Sequence, residues 1–108
     1  MAEVVVVVKV VAAEGKVDEV VAGFTACTEA THREEGCLAY ALHRDNSDPN
    51  TLVLVERWRA QEDLDAHNQT PHVAALFAVA GTPGMLAEAP QLSFTTPLGI
   101  GDPAKGTL

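Results

Sequence analysis

The apolar positions change period along the chain, and each change marks an element. Residues 3–12 are nearly all valine. Val4, Val6, Val8 and Val10 have one parity, Val5, Val7 and Val11 the other, and only Lys9 breaks the run. β-Branched side chains suit a pleated strand, and a strand apolar on both faces is expected to be covered on both. Glu14-Gly15-Lys16 reads as a turn. From Val17 the spacing becomes helical, with Val17, Val20, Val21, Phe24, Cys27 and Thr31 on one stripe and Asp18, Glu19 and Glu29 off it. This helix is predicted to reach His32 or Arg33, where Glu34-Glu35-Gly36 stops it and Gly36 serves as cap or turn residue. Alternation returns at 37–44, with Leu38, Tyr40 and Leu42 opposite Cys37, Ala39, Ala41 and His43. It returns again at 51–59, with Leu52, Leu54, Glu56 and Trp58 opposite Val53, Val55, Arg57 and Arg59. The turn formers of 45–50 join the two as a hairpin. A short helical turn at 61–67 precedes a helix opened by Thr70 as N-cap and by Pro71 at the first position, where a missing N–H costs nothing. Val73, Leu76, Phe77 and Ala80 form its expected buried stripe, and Gly81-Thr82-Pro83-Gly84 ends it. A fourth strand is predicted in the later half of 85–96, with Leu92, Phe94 and Thr96 alternating with Ser93 and Thr95.

The order β-α-β-β-α-β predicts an α+β, ferredoxin-like sandwich with an antiparallel sheet and both helices on one face. The other face of such a sheet is usually wet, yet here strands one to three are apolar in both parities. A two-fold homodimer that buries the two sheet faces against each other resolves this. The expected organisation is one domain over residues 1–98 and a polar C-terminal tail over 99–108.

Composition narrows the partners. The net charge of −8 repels phosphate backbones and anionic lipid, so neither nucleic acid nor a membrane surface is expected. No apolar run approaches the ~20 residues of a membrane span. Lys9 follows the valine run at once without a basic leader or cleavage site, so no signal peptide is expected. A cytoplasmic protein with Cys27 and Cys37 as free thiols fits this pattern. The cysteines lack zinc spacing, and His67 and His72 are five apart rather than the four of a helical metal motif. No glycine loop precedes a helix, so neither a metal nor a nucleotide cofactor is expected.

The chemistry concentrates between Asn50 and Phe77, which hold the single tryptophan and two of the four histidines. Glu56 and Trp58 share a strand face, and a carboxylate there needs a partner. An indole, imidazoles and a buried acid around one pocket suit a flat aromatic or quinoid ligand and proton abstraction from a phenol or enol. Leu54, Leu76, Phe77 and Tyr40 are candidate pocket residues beside Trp58. The same residues have plain structural readings: Trp58 and Tyr40 as core, Glu56 in an ion pair, His67 ordering its turn. His32 and His43 read as surface or edge residues.

Several pieces of the chain resemble the antibiotic biosynthesis monooxygenase domain of the dimeric α/β-barrel superfamily. They are Glu14-Gly15-Lys16 with Val17-Asp18-Glu19, Glu35-Gly36-Cys37 before Tyr40, Glu56-x-Trp58, and Ala66-His67 leading to Thr70-Pro71-His72. The last two resemble the small quinol-monooxygenase-like branch in particular, and the likeness covers about residues 3–96. It implies a ferredoxin-like protomer, a sheet-to-sheet dimer and a pocket between sheet and helices. The implied activity is oxidation of a quinol or polycyclic aromatic phenol by molecular oxygen without metal, flavin or haem. By that resemblance His72 is the candidate base, His67 a second polar group, Trp58 an aromatic wall and Glu56 the orienter of an imidazole. Haem-degrading relatives use a strand-one asparagine and a later tryptophan, whose places here hold valine or lysine and His67. The alternatives are a non-catalytic binding or stress-response barrel, and an isomerase of a small phosphorylated dione served by Arg57, Arg59 and Lys9.

Overall fold

The computed structural model describes residues 2–108. Its elements are β1 (Val4–Val11), α1 (Val17–Thr31), β2 (Cys37–Arg44), β3 (Thr51–Trp58), α2 (Gln61–His67), α3 (Pro71–Ala80) and β4 (Gln91–Thr95). The strands form one antiparallel sheet in the order β2-β3-β1-β4, the ferredoxin-like arrangement that the periodicity predicts.

Register decides what the helices cover. Val6 pairs with Glu56 and Phe94, Val8 pairs with Leu54 and Leu92, and Tyr40 pairs with Glu56. Two rows therefore cross the helix-bearing face: Tyr40–Glu56–Val6–Phe94 and Leu42–Leu54–Val8–Leu92. Burial follows the same parity. Val6, Val8, Val10, Leu52, Leu54 and Trp58 are buried against Val20, Phe24 and Cys27 of α1, Leu64 of α2 and Val73 and Leu76 of α3. Such apolar burial is the main stabilising term, at about 25 cal/mol per Å². The opposite face carries Val7, Val11, Val53, Val55, Ala39 and Ala41, none of them deeply buried, together with exposed Lys9 and His43.

Three local expectations change. A bulge lies between Cys37 and Ala39: Cys37 pairs with Trp58 and Ala39 with Arg57. An extra residue in one strand flips parity, so Cys37 rather than Leu38 begins the covered row, and Leu38 is 45% exposed. Gly36 is a turn residue and not the cap of α1, which is His32. The Gly36 backbone instead lies so close to Asp63 that a β-carbon would overlap that side chain, while its carbonyl accepts from the Arg59 amide at 2.9 Å. Phe77 is 64% exposed and lies off the buried stripe of α3, which is Val73 and Leu76. Among the described residues no helix is long and apolar enough to cross a membrane, and both cysteines are free. Beyond β4 the chain forms neither helix nor strand.

Candidate active site

The site is built on the corner between α2 and α3. Thr70 makes that corner: its hydroxyl donates to the His67 carbonyl at 2.7 Å and accepts from the Val73 amide at 3.4 Å. It thus closes α2 and caps α3, whose first position is Pro71. His67, the last residue of α2, and His72, the second of α3, face each other with ring centroids 5.9 Å apart. The turn after α1 supplies the group between them. The Glu34 amide donates to the Thr31 carbonyl at 2.9 Å, and its own carbonyl accepts from the Cys37 amide at 3.1 Å. Held at both peptide groups, Glu34 presents one carboxylate oxygen, Oε2, to two imidazoles. His67 Nδ1–H and His72 Nε2–H each donate to it at 2.8 Å. A carboxylate only accepts, so it fixes both tautomers: the proton of His67 is on Nδ1 and the lone pair on Nε2.

His67 is 3% exposed and packs against Trp58 at 4.5 Å and Tyr40 at 5.5 Å between centroids. It forms part of the wall of a cavity of about 420 Å³ between sheet and helices. Val6, Val8, Phe24, Leu54, Val73 and Leu76 give the cavity apolar walls, and the exposed rings of Phe77 and Phe94 stand with Leu92 where it meets solvent. Its polar residues are Tyr40, Glu56, His67 and Asn68. Glu56 accepts from the Trp58 indole N–H through Oε1 at 2.9 Å. No side-chain nitrogen or oxygen among the described residues is fully buried without a partner. Among the described residues His67 Nε2 and Glu56 Oε2 have no protein hydrogen bond, so both atoms keep some accessible surface, and both residues line the cavity. Burial pushes the Glu56 carboxyl above the usual carboxylate range, the indole donor pulls it back, and the Glu34 charge adds to the rise. Burial likewise drives the Tyr40 phenol far up, helped by its contact with the Cys27 thiol at 3.5 Å.

The expected residues thus meet in one region, with three reassignments. Trp58 is fully buried behind His67 and forms no part of the cavity wall, so it supports the imidazole rather than facing a ligand. His72 also stands off the wall, and the position facing the cavity is that of His67. The orienter of the imidazoles is Glu34, whereas Glu56 is bonded to the indole. In the sequence Glu34 reads only as part of a charged helix stop. Tyr40, Leu54, Leu76 and Phe77 all line the cavity. His32 and His43 each bond a backbone carbonyl, of Tyr40 and Val53 respectively.

Comparison with known proteins agrees with this geometry. The antibiotic biosynthesis monooxygenase family model matches residues 3–79. Protein sll1783 of Synechocystis sp. is 32% identical over 73 residues, 68% of this chain and 48% of that protein. Escherichia coli YgiN, named a probable quinol monooxygenase, is 37% identical over 51 residues, 40% of this chain and 49% of its own length. The chain spans about half the length of these curated relatives. The solved structure of Rv0793 from Mycobacterium tuberculosis superposes with a TM-score of 0.84 at 27% identity, covering 90% of this chain and 96% of that one. With its family model, its strand order and its sheet-to-helix cavity in agreement, the chain belongs to the antibiotic biosynthesis monooxygenase family.

Proposed function

We propose that the cavity binds a flat, electron-rich quinol or polycyclic phenol, and that the chain oxidises it with molecular oxygen using His67 as the base. One observation carries this reading: an apolar cavity ends on an imidazole whose Nδ1–H is held by a carboxylate and whose Nε2 is free. Nε2 takes the phenolic proton. The resulting quinolate is electron-rich enough to reduce oxygen itself. A quinol then yields quinone while oxygen takes up two electrons and two protons as hydrogen peroxide. At an activated methylene carbon, one oxygen atom becomes the new carbonyl and the other leaves as water with the two hydrogens. The protein's share is to hold the ring system, remove the proton and exclude water, so the reading needs no cofactor. The name of YgiN is in keeping with this substrate class.

The phosphorylated-dione reading has less support. Among the described residues no lysine or arginine lines the cavity; Arg57 pairs with Glu3, Arg59 with Asp63, and Lys9 is exposed on the far side of the sheet. The test is oxygen uptake by chelator-treated protein with a panel of hydroquinones and anthrones. Uptake above the spontaneous rate should fall by ~10²- to 10⁴-fold in His67→Ala and by less in His72→Ala, which acts through Glu34. Full activity in His67→Ala would remove the assigned base. No uptake with any substrate, alongside saturable quenching of Trp58 fluorescence, would favour the binding-barrel reading.

The dimer belongs to the same proposal. The helix-free face presents valine and alanine around Val55, which pairs with Val7 and Ala41, a surface small and apolar enough for a second sheet to pack ~10 Å away. Val55→Lys should convert a dimer to monomers in sedimentation velocity. A wild-type chain that is already monomeric at micromolar concentration would refute the sheet-to-sheet dimer.

A further inference from the structure

The ring of His67 has a second reactive side, turned away from the cavity wall. There Glu34 from the turn after α1, His67 from α2 and His72 from α3 each offer a donor atom, these within 4.8 Å of one another, and Glu34 Oε2 is 2.8 Å from both His67 Nδ1 and His72 Nε2. The side chains are 19%, 4% and 22% exposed, respectively, and among the described residues no lysine or arginine is bonded to Glu34. Two imidazoles and a carboxylate form a donor set suited to zinc, nickel, cobalt, copper or iron in the divalent state. It is ill suited to calcium or magnesium, which ask for oxygen ligands. Metal–ligand bonds of ~2.0–2.2 Å put neighbouring donors ~3 to 3.6 Å apart. The two existing N···O separations of 2.8 Å thus need to open by less than about 1 Å. The backbone already holds the three in place through the Thr70 corner and the hydrogen-bonded turn at Glu34.

We infer that Glu34, His67 and His72 form a binding site for a divalent transition-metal ion, and that occupancy switches off the base in the cavity. The switch follows from proton accounting. A neutral imidazole carries one ring proton. Without an ion, the His67 proton is on Nδ1, directed to Glu34, and Nε2 offers a lone pair to the cavity. A metal ion on Nδ1 takes that nitrogen's lone pair and leaves the single proton to Nε2. His72 exchanges in the same way, with Nε2 on the metal and its proton on Nδ1. No proton is gained or lost, but the atom facing the cavity turns from acceptor to donor. The metal site stands on the geometry alone. The inhibition rests on the proposed role of His67 as base.

The experiment titrates the chelator-stripped full chain with zinc chloride by calorimetry and with cobalt chloride by visible absorption. Nitrogen-15 NMR of the histidine rings follows the tautomers. One ion per chain is expected. Glu34→Gln and His72→Ala should each weaken binding by at least the ~10- to 100-fold that even outer-sphere changes cost. Glu34→Gln keeps the shape of the side chain and decides the matter should His72→Ala unfold. On saturation, the His67 Nε2 signal should move from acceptor to N–H, and oxygen uptake should fall with occupancy and return on adding chelator. Absence of binding, or binding undiminished in Glu34→Gln, would overturn the site. Binding with the Nε2 signal unchanged would overturn the switch. A chain that never consumes oxygen would fail the functional reading, while calorimetry and NMR would still decide the metal site.

Discussion

Two carboxylates flank His67, and the fold treats them in opposite ways. Behind the ring, Glu34 sits in a turn, part-buried, with two imidazole N–H groups on one oxygen. At the cavity, Glu56 sits on the central strand β3, 7% exposed, with an indole N–H on one oxygen and nothing on the other. Glu34 thus meets two donors on one oxygen and holds a tautomer. Burial pushes Glu56 toward its neutral form. One carboxylate positions a base, and the other is free to exchange a proton or a hydrogen bond with a ligand. Glu34 and Glu56 are not interchangeable, although both lie near the same ring.

The largest effect that separates them is expected from Glu34→Gln. An amide oxygen in the place of Oε2 can still accept from both imidazoles, but without the carboxylate's charge it holds them more weakly, and the amide can turn its N–H₂ toward them instead. Losing control of the His67 tautomer should lower kcat/KM by roughly 10- to 100-fold, as removing an outer partner of a functional histidine does. KM should change little, because Glu34 lies off the cavity wall. Oxygen uptake over a substrate series measures both. A variant with unchanged kcat and raised KM would mean that Glu34 acts on binding, and the contrast would collapse.

How much of this contrast was legible in the sequence depends on distance along the chain. The elements could be read because each is written locally: alternating valines for β1, the Val17-to-Thr31 stripe for α1, and Thr70-Pro71 for the start of α3. The two histidines could be paired because one corner holds them. Glu34 could not, since its partners are 33 and 38 residues away and nothing in Glu34-Glu35-Gly36 marks a contact across the fold. Trp58 shows another limit. Strand parity placed it correctly on the helix side, but parity gives a side and not a depth, and the α2 corner lays the His67 ring over it. The bulge in β2 was hidden for a related reason. Residues 37–42 are all apolar or aromatic, so a one-residue slip leaves no polar residue on the wrong face. The exposure of Phe77 reflects the cavity, which removes the neighbour that a helical stripe would otherwise meet.

The second prediction breaks the Glu56 side through its donor. Trp58→Phe keeps an aromatic ring in the core but deletes the only hydrogen bond that the described residues make to Glu56 Oε1. A buried acceptor left without a partner costs ~1–3 kcal/mol, and the smaller ring adds a packing loss. The midpoint of urea unfolding should fall accordingly. A double-mutant cycle with Glu56→Met, which has no oxygen to accept from the indole, isolates the bond, because packing largely cancels and the coupling remains. A coupling near zero would show that the indole only fills space.

The smallest effect, and the one that most sharpens the comparison, is the pH dependence of Glu56→Gln. The introduced amide oxygen can still accept from the indole. At acid pH, where Glu56 is neutral in both the folded and the unfolded chain, wild type and variant should therefore be nearly equal in stability. Burial sets the folded value of Glu56 above the unfolded one. As pH rises between the two, the folded chain holds a proton that the unfolded chain has released, and stability is lost. The loss is complete once pH passes the folded value. The Tm of the variant should therefore climb relative to wild type through this window and then run parallel to it. If the Tm of Glu56→Gln ran parallel to that of wild type across the whole range, burial would not be acting on the Glu56 carboxyl, and the division of labour around His67 would have to be given up.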